Sequence, residues 1–550
     1  LRIPDNVNQL CMASRYRHNG RVGRFVPLVV ALLAVAGCGG ASKSTPQTGP
    51  APVHQAETAR PPLVSIFEAP AQLVDAPGPT LDDLRRLGVD YVRVMVPWSG
   101  VAPASAAPSN PASPASYPAS AWSVYDSIIT GAAARGLGVN LDPTAPAPQW
   151  ALSPGAPTGA PPGIWKPSAS AFGQFVRAVA TRYSGHYTPP GASSPLPRVS
   201  LWSVWNEPNY GVELAPQAID NSTVEISPAL YRGLLDAAWT ALRGTGHGHD
   251  TILIGEIAPR GITGPGYPGN FSGMVPLRFV RALYCVDSSL NPLSGSAAKA
   301  RGCPATAAAS KRFVTENPAL FSASGFAVHP YTQGALAPNV RTPGEPGYAD
   351  LASLTELEQM LDTITSHYGH SYEFSFYSTE YGYKTNPPYG GGAPLQTAAS
   401  YLNWAEYMSW RDPRIRAWDQ YLLTDPPPTG PSQFVTGLEF ANGTPKPSLA
   451  AWRLPIWLPQ ERAGRGTPLE VWGCLRPATK ATGPGARGGT IEFRPSGAPG
   501  FRTIRRVTAT PRSCYFDVKV SFPSSGAVRL AWKYPQGPVV HSRQVQVSVS

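Results

Sequence analysis

Two glutamates sit where a chain could use them as a pair. Residues 199–211 read VSLWSVWNEPNYG, a buried-type run that ends in Asn206, Glu207 and Pro208. Proline cannot donate to a ladder, so the run has to stop near Glu207, leaving an acid at a strand end with an amide before it and a turn after it. Residues 373–383 read EFSFYSTEYGY and deliver Glu380 to a turn at Gly382 in the same way. Carboxylates at two strand ends, 173 positions apart, suit hydrolysis of a glycosidic bond. One carboxyl protonates the leaving oxygen. The other, about 5–5.5 Å away, attacks the anomeric carbon.

The surrounding pattern has to bring these ends together. Apolar runs open at 63, 89, 138, 199, 251, 325, 373 and 416, and helical patterns alternate with them. Examples of the helices are 80–88, with Thr80 as N-cap and Gly88 as stop, and 168–183, 228–242, 351–368 and 397–410. Eight strands alternating with helices predict an α/β fold, a (β/α)8 barrel, whose active face is formed by the loops after the strands. Strands four and seven lie across its mouth. No glycine-rich phosphate turn follows an early strand, which argues against a doubly wound sheet. After Pro459 the pattern changes to short strands and turns, predicting a small C-terminal β-sandwich that packs against the barrel or binds carbohydrate.

With the residues in view, a resemblance can be stated. The run 205–208 (WNEP) looks like the acid/base motif of the large clan of (β/α)8 retaining glycosidases that includes the cellulase-type family 5 and the β-xylosidase-type family 39. The run 378–382 (STEYG) is similar to that clan's nucleophile motif. The resemblance covers roughly 63–457. It implies Glu207 as acid/base, Glu380 as nucleophile, and Asn206 as a partner of the sugar 2-hydroxyl. It also implies Arg93 beneath the nucleophile, with His329 and Tyr331 orienting sugar or nucleophile. Trp150, Trp165 and Trp418 are candidates either for sugar platforms or for loop packing. Asp142-Pro143-Thr144 departs from the histidine that many family 5 members keep after strand three. Glu68, Asp142, Glu256 and Asp425 also end strands, as subsite residues or as substitutes for an assigned partner. The chemistry calls for no cofactor, and no Cys or His spacing suggests a metal site.

Composition limits the rest. The formal charge of +11 is uneven: residues 1–37 carry +4 and residues 460–550 carry +10, which leaves −3 between them. The basic tail reads first as a solvated face and second as a surface for an anionic polymer or lipid. Nucleic acid is not expected. Arg15, Arg17, Arg21 and Arg24 precede an apolar run at 25–36, too short to span a membrane, and the run ends in Val35-Ala36-Gly37-Cys38. This resembles a bacterial lipobox, which implies cleavage before Cys38 and a lipid anchor there; Met12 would give a more usual start than Leu1. The expected organisation is a signal peptide at 1–37, a tether at 38–61, the barrel at 62–459 and the sandwich at 460–550. Cys285, Cys303, Cys474 and Cys514 suit two local disulfides in an exported protein. The expected partners are a carbohydrate substrate and the outer face of a membrane, and the chain is expected to be a monomer. The rival reading is a non-catalytic carbohydrate-binding or wall-associated lipoprotein on a degenerate barrel.

Overall fold

The computed structural model describes residues 62–550, apart from 344–345, 428–433 and 511. The expected signal peptide, tether and lipidation site at Cys38 lie outside the described residues. No described helix is long and apolar enough to cross a membrane.

Eight parallel strands close into a barrel: β1 Val64–Glu68, β2 Tyr91–Pro97, β3 Gly138–Thr144, β4 Leu201–Trp202, β5 Thr251–Ile257, β6 Gly325–Val328, β7 Phe376–Ser378 and β8 Ile415–Tyr421, with β8 returning to β1. The expected (β/α)8 arrangement is therefore present. Inward-facing Ile66, Leu201, Leu253, Ala327 and Ala417 form an apolar plug in the bore. Side chains alternate along a strand, so the next inward positions toward the C-terminal ends are Glu68, Ser203, His329 and Asp419. The polar layer thus sits directly on the plug.

Three local departures from expectation have physical causes. The strand expected from 199 onward keeps only two ladder residues, Leu201–Trp202. Beyond them the backbone still bonds to β3, through Ser203 N to Leu141 O (3.0 Å) and Trp205 N to Pro143 O (3.1 Å). Trp205 and Glu207 have φ of 66° and 37°, left-handed conformations that break the ladder. The first long helix starts at Pro77 rather than at Thr80, because Pro77 sits in the first turn where no N–H is needed. Thr80 is not its cap; its hydroxyl donates to Gln72 O and Ala76 O. Between β5 and β6 the chain adds helices Pro276–Leu283, Gly295–Ala300, Ala307–Glu316 and Pro318–Ser322, which the sequence reading passed over. The Cys285–Cys303 disulfide lies in this insertion.

The C-terminal residues form two sheets around one core. The smaller contains Ile456–Trp457, Leu469–Cys474 and Tyr515–Val520; the larger is built on Gly488–Pro495, Arg502–Thr508 and Gly526–Lys533. Val471, Ile491, Phe493, Val528, Leu530 and Val547 interlock between them. Leu454, Ile456 and Leu458, ahead of position 460, already belong to this core. Cys474 pairs with Cys514.

These sheets are fixed to the barrel through buried and half-buried polar contacts. Arg476 donates from Nε to Trp452 O (2.9 Å) and lies 4.0 Å over the Trp452 ring. Its guanidinium pairs with Glu406 on helix Leu395–Arg411, where the Tyr515 hydroxyl also donates, at 2.7 Å. Lys480 pairs with Asp90 at 3.0 Å, in the turn leading into β2. At Gly88 (φ 83°) an added Cβ would fall 2.3 Å from Arg476 O, so the helix end and the tail domain meet where only glycine fits.

Candidate active site

The guanidinium of Arg93 organises the polar layer. It projects from β2 and is 2% exposed. One terminal nitrogen donates to Glu68 Oε1 (2.9 Å) and Glu380 Oε1 (2.8 Å). The other donates to Asp142 Oδ2 (3.1 Å), Asn206 Oδ1 (3.0 Å) and Glu256 Oε2 (3.0 Å). A fixed fork of donors suits this one-to-many role, which a lysine could not fill. The arrangement gathers residues from the ends of β1, β3, β5 and β7 and the run after β4 around a single cation.

His329, after β6, joins the two predicted carboxyls. Its Nδ1 is 2.9 Å from Glu207 Oε1 and 3.6 Å from Glu380 Oε2, and its Nε2 is 2.9 Å from Glu256 Oε2. Tyr331 donates its hydroxyl to Glu380 Oε2 at 3.1 Å. Glu207, His329 and Glu380 each place one atom within 4.8 Å of the other two. Glu380 thus has Arg93 on one oxygen and Tyr331 on the other, while Glu207 has a single strong partner.

The electrostatics separate the acids. Burial pushes the Glu207 carboxyl up, the His329 contact opposes this, and the Glu380 charge adds to the rise. Burial likewise pushes Glu68 to about 8, with Arg93 opposing and Glu380 reinforcing, and Asp142 to about 7 in the same manner. Glu256 goes the other way: burial would raise it, yet Arg93 and His329 hold it at about 2. For His329, burial alone would lower the imidazole, but Glu380, Glu207 and Glu256 keep it well above the usual range. With its two nitrogens on Glu207 and Glu256, the His329 ring links the carboxyls into one hydrogen-bonded chain.

The predicted set divides cleanly. Glu207, Glu380, Asn206, Arg93, His329 and Tyr331 converge. Trp150 and Trp418 do not. Trp418 is 1% exposed and packs on Tyr381 with ring centroids 4.4 Å apart; Asp419 faces the bore, so its neighbour faces away. Trp150 packs edge-on to Trp98 and donates its Nε1 to Pro103 O at 2.9 Å, holding the loop after β3. Full burial makes Trp418 a packing residue, whereas Trp150, half-buried, keeps part of its surface open. Of the other strand-end acids, Asp425 is absent from the cluster and pairs with Lys446 at 2.7 Å.

Several members were not singled out from sequence. Thr379 donates to Glu256 Oε2 at 2.8 Å, and Ser203 donates to Glu256 Oε1. Asp419 accepts from Tyr381 N at 3.2 Å. Glu213, half-buried in the loop after β4, has its carboxyl held far above the ordinary range by burial and by the charges of Glu207 and Glu380. Strand parity from Ala417 identifies Asp419, and parity from Leu201 identifies Ser203. Nothing in the local sequence marks Glu213.

No family model and no curated protein matches the chain. Among solved structures it is similar to a glucosidase from Croceicoccus marinus, at 12% identity and TM-score 0.45, over 88% of this chain and 96% of that one. It is also similar to a family 39 glycoside hydrolase from the gut symbiont Bacteroides cellulosilyticus WH2, at 14% identity and TM-score 0.42, over 84% and 79% of the two chains. A third is the GH39 enzyme from Xanthomonas axonopodis pv. citri, at 12% identity and TM-score 0.45, over 84% and 93%.

Proposed function

We propose that this protein is a retaining glycoside hydrolase. The observation that carries the reading is the approach of Glu207 and Glu380 oxygens to within 4.8 Å at the mouth of the barrel, each in a different electrostatic setting. Inverting enzymes need roughly 6.5–9.5 Å between carboxyls to admit a water. An oxygen-to-oxygen approach under 4.8 Å fits the roughly 5–5.5 Å between carboxyls that double displacement uses.

In this reading Glu380, held by Arg93 and Tyr331, attacks the anomeric carbon. Glu207 gives its proton to the glycosidic oxygen as the carbon–oxygen bond breaks, and a glycosyl ester forms on Glu380. Water then attacks the same carbon, Glu207 takes the water proton, and the ester opens to regenerate both residues. Asn206 has its Oδ1 tied to Arg93, which leaves its Nδ2 to donate to a sugar hydroxyl. The substrate is a carbohydrate, an oligo- or polysaccharide; the first test is turnover of a panel of aryl β-glycosides and polysaccharides by residues 51–550. The expected result is hydrolysis of one sugar class, with the first-formed product keeping the substrate's anomeric configuration by proton NMR. An inverted product would end the double-displacement reading, and binding without turnover across the panel would favour the non-catalytic rival.

The same proposal includes export and a lipid anchor, supported by the arginines, apolar run and Cys38 of the N-terminal segment. The mature chain should partition into detergent and carry the mass of acyl groups, and Cys38→Ser should release it to the aqueous phase. Equal partitioning of both forms would remove the anchor from the proposal.

A further inference from the structure

We propose that Glu256 is a positioning residue for this site: it never meets substrate, but it fixes His329 and Arg93 and through them the two reacting carboxyls. The inference rests on the glycosidase reading above.

The geometry is specific. Glu256 is 0% exposed, so no sugar reaches it. Its Oε2 takes three contacts: Arg93 (3.0 Å), His329 Nε2 (2.9 Å) and Thr379 Oγ1 (2.8 Å). Its Oε1 takes the Ser203 hydroxyl, which is itself bonded to Asn140 Nδ2 at 3.1 Å. Its backbone carbonyl accepts from Glu207 N at 2.9 Å. All of these contacts except that to Ser203 lead to a reacting group in one step. Arg93 touches Glu380, Thr379 precedes it, His329 touches Glu207, and the carbonyl holds the Glu207 backbone.

The chain takes unusual steps to place this side chain. Strict alternation from the inward Leu253 would turn position 255 into the bore and 256 away from it. A register shift between Ile254 and Ile257, with φ of 103° at Gly255 and 47° at Glu256, reverses that. Bulges of this kind re-aim side chains beside functional sites. A left-handed non-glycine residue costs of order 1–3 kcal/mol and persists only where its surroundings fix it.

The consequence is electrostatic. The groups facing His329 are Glu256 from β5, Glu207 from the run after β4 and Glu380 after β7; Arg93 from β2 reaches it through Glu256. An anion on Nε2–H keeps the ring doubly protonated, so Nδ1–H donates to Glu207 and favours its ionised form. Glu256→Gln removes the anion that holds Nε2–H, so the ring, now facing only Glu207 and Glu380, gives up that proton more readily and its bond to Glu207 carries less positive charge. What Glu207 loses is a charged hydrogen bond at 2.9 Å, so its pKa rises.

The test is the pH profile of kcat/KM on the sugar found to turn over, for the wild type and Glu256→Gln. The expected result is a fall of about 10–100-fold, the usual cost of an outer support, carried by kcat with KM nearly unchanged. The basic limb, which reports loss of the Glu207 proton, should move to higher pH. A fall without movement of that limb would overturn the proposal, since a purely structural defect moves no pKa. Nitrogen-15 NMR of His329 in the wild type covers a variant that fails to fold: both ring nitrogens should remain protonated at pH 8, and a neutral ring there would also overturn it. That spectrum needs no substrate, so a doubly protonated ring in a protein that hydrolyses nothing would leave Glu256 in place and sink only the glycosidase reading.

Discussion

Glu380→Gln should abolish turnover, by about 10⁴- to 10⁶-fold, because the proposed covalent intermediate forms on this carboxylate. Glu207→Gln should cost about 10²–10⁴-fold on unactivated sugars, the usual worth of a general acid. The two losses should differ in kind. An aryl glycoside with a good leaving group needs no protonation, so the Glu207 variant should still form the glycosyl ester. It would then stall, because no base activates water. Stopped-flow release of the phenol should show a burst in Glu207→Gln and none in Glu380→Gln. A burst in the other variant would exchange the two roles. Small, equal losses in both would mean that neither residue reacts.

Arg93→Met should be the most damaging substitution to the fold. It leaves Glu68, Asp142, Glu256 and Glu380 around an apolar stem, and breaking a buried ionic cluster by removing one partner costs about 3–5 kcal/mol. The deficit should depend on pH with a definite sign. Glu68 and Asp142 already have folded pKa values raised to about 8 and about 7, and losing the cation raises them further. A carboxyl whose folded pKa exceeds its unfolded value favours folding least when ionised. Its contribution is therefore intact near pH 4 and lost as pH rises through the folded value. Urea unfolding of wild type and variant at pH 5 and pH 8 should show a larger gap at pH 8. An equal gap at both would mean that packing, not charge, is what Arg93 supplies.

The barrel and six members of its site were readable from sequence, because they follow from alternation and from punctuation. Pro208 and Gly382 fix where strands four and seven end, and what precedes each end is a carboxyl. Arg93 is legible by residue type, since a cation inside an apolar strand demands partners. Glu256 was readable as a strand-end acid but not as the centre of the network, because its inward direction depends on a bulge that period-2 logic does not foresee. Trp418 shows the reverse: the alternation that sends Asp419 inward sends Trp418 out, so its direction follows from parity and not from residue type. Of the helices between β5 and β6, Pro276–Leu283 carries an apolar stripe of Phe279, Val280 and Leu283 and was legible, whereas Gly295–Ala300 and Pro318–Ser322 are too short to show a period.

The seam between barrel and tail says something about ancestry and exchange. A domain that travels between proteins needs a linker that can be cut without exposing either side. Here the connecting residues Leu454, Ile456 and Leu458 are themselves core of the tail, and Arg543, near the C-terminus, reaches back to Asn403 and to Ile456 O, both at 2.9 Å. The two parts therefore share one packed seam. A substitution that reshapes helix Leu395–Arg411 must be answered in the sheets, and grafting this tail onto another barrel would mean carrying that helix with it. It is better regarded as a permanent wall of the barrel than as an accessory module.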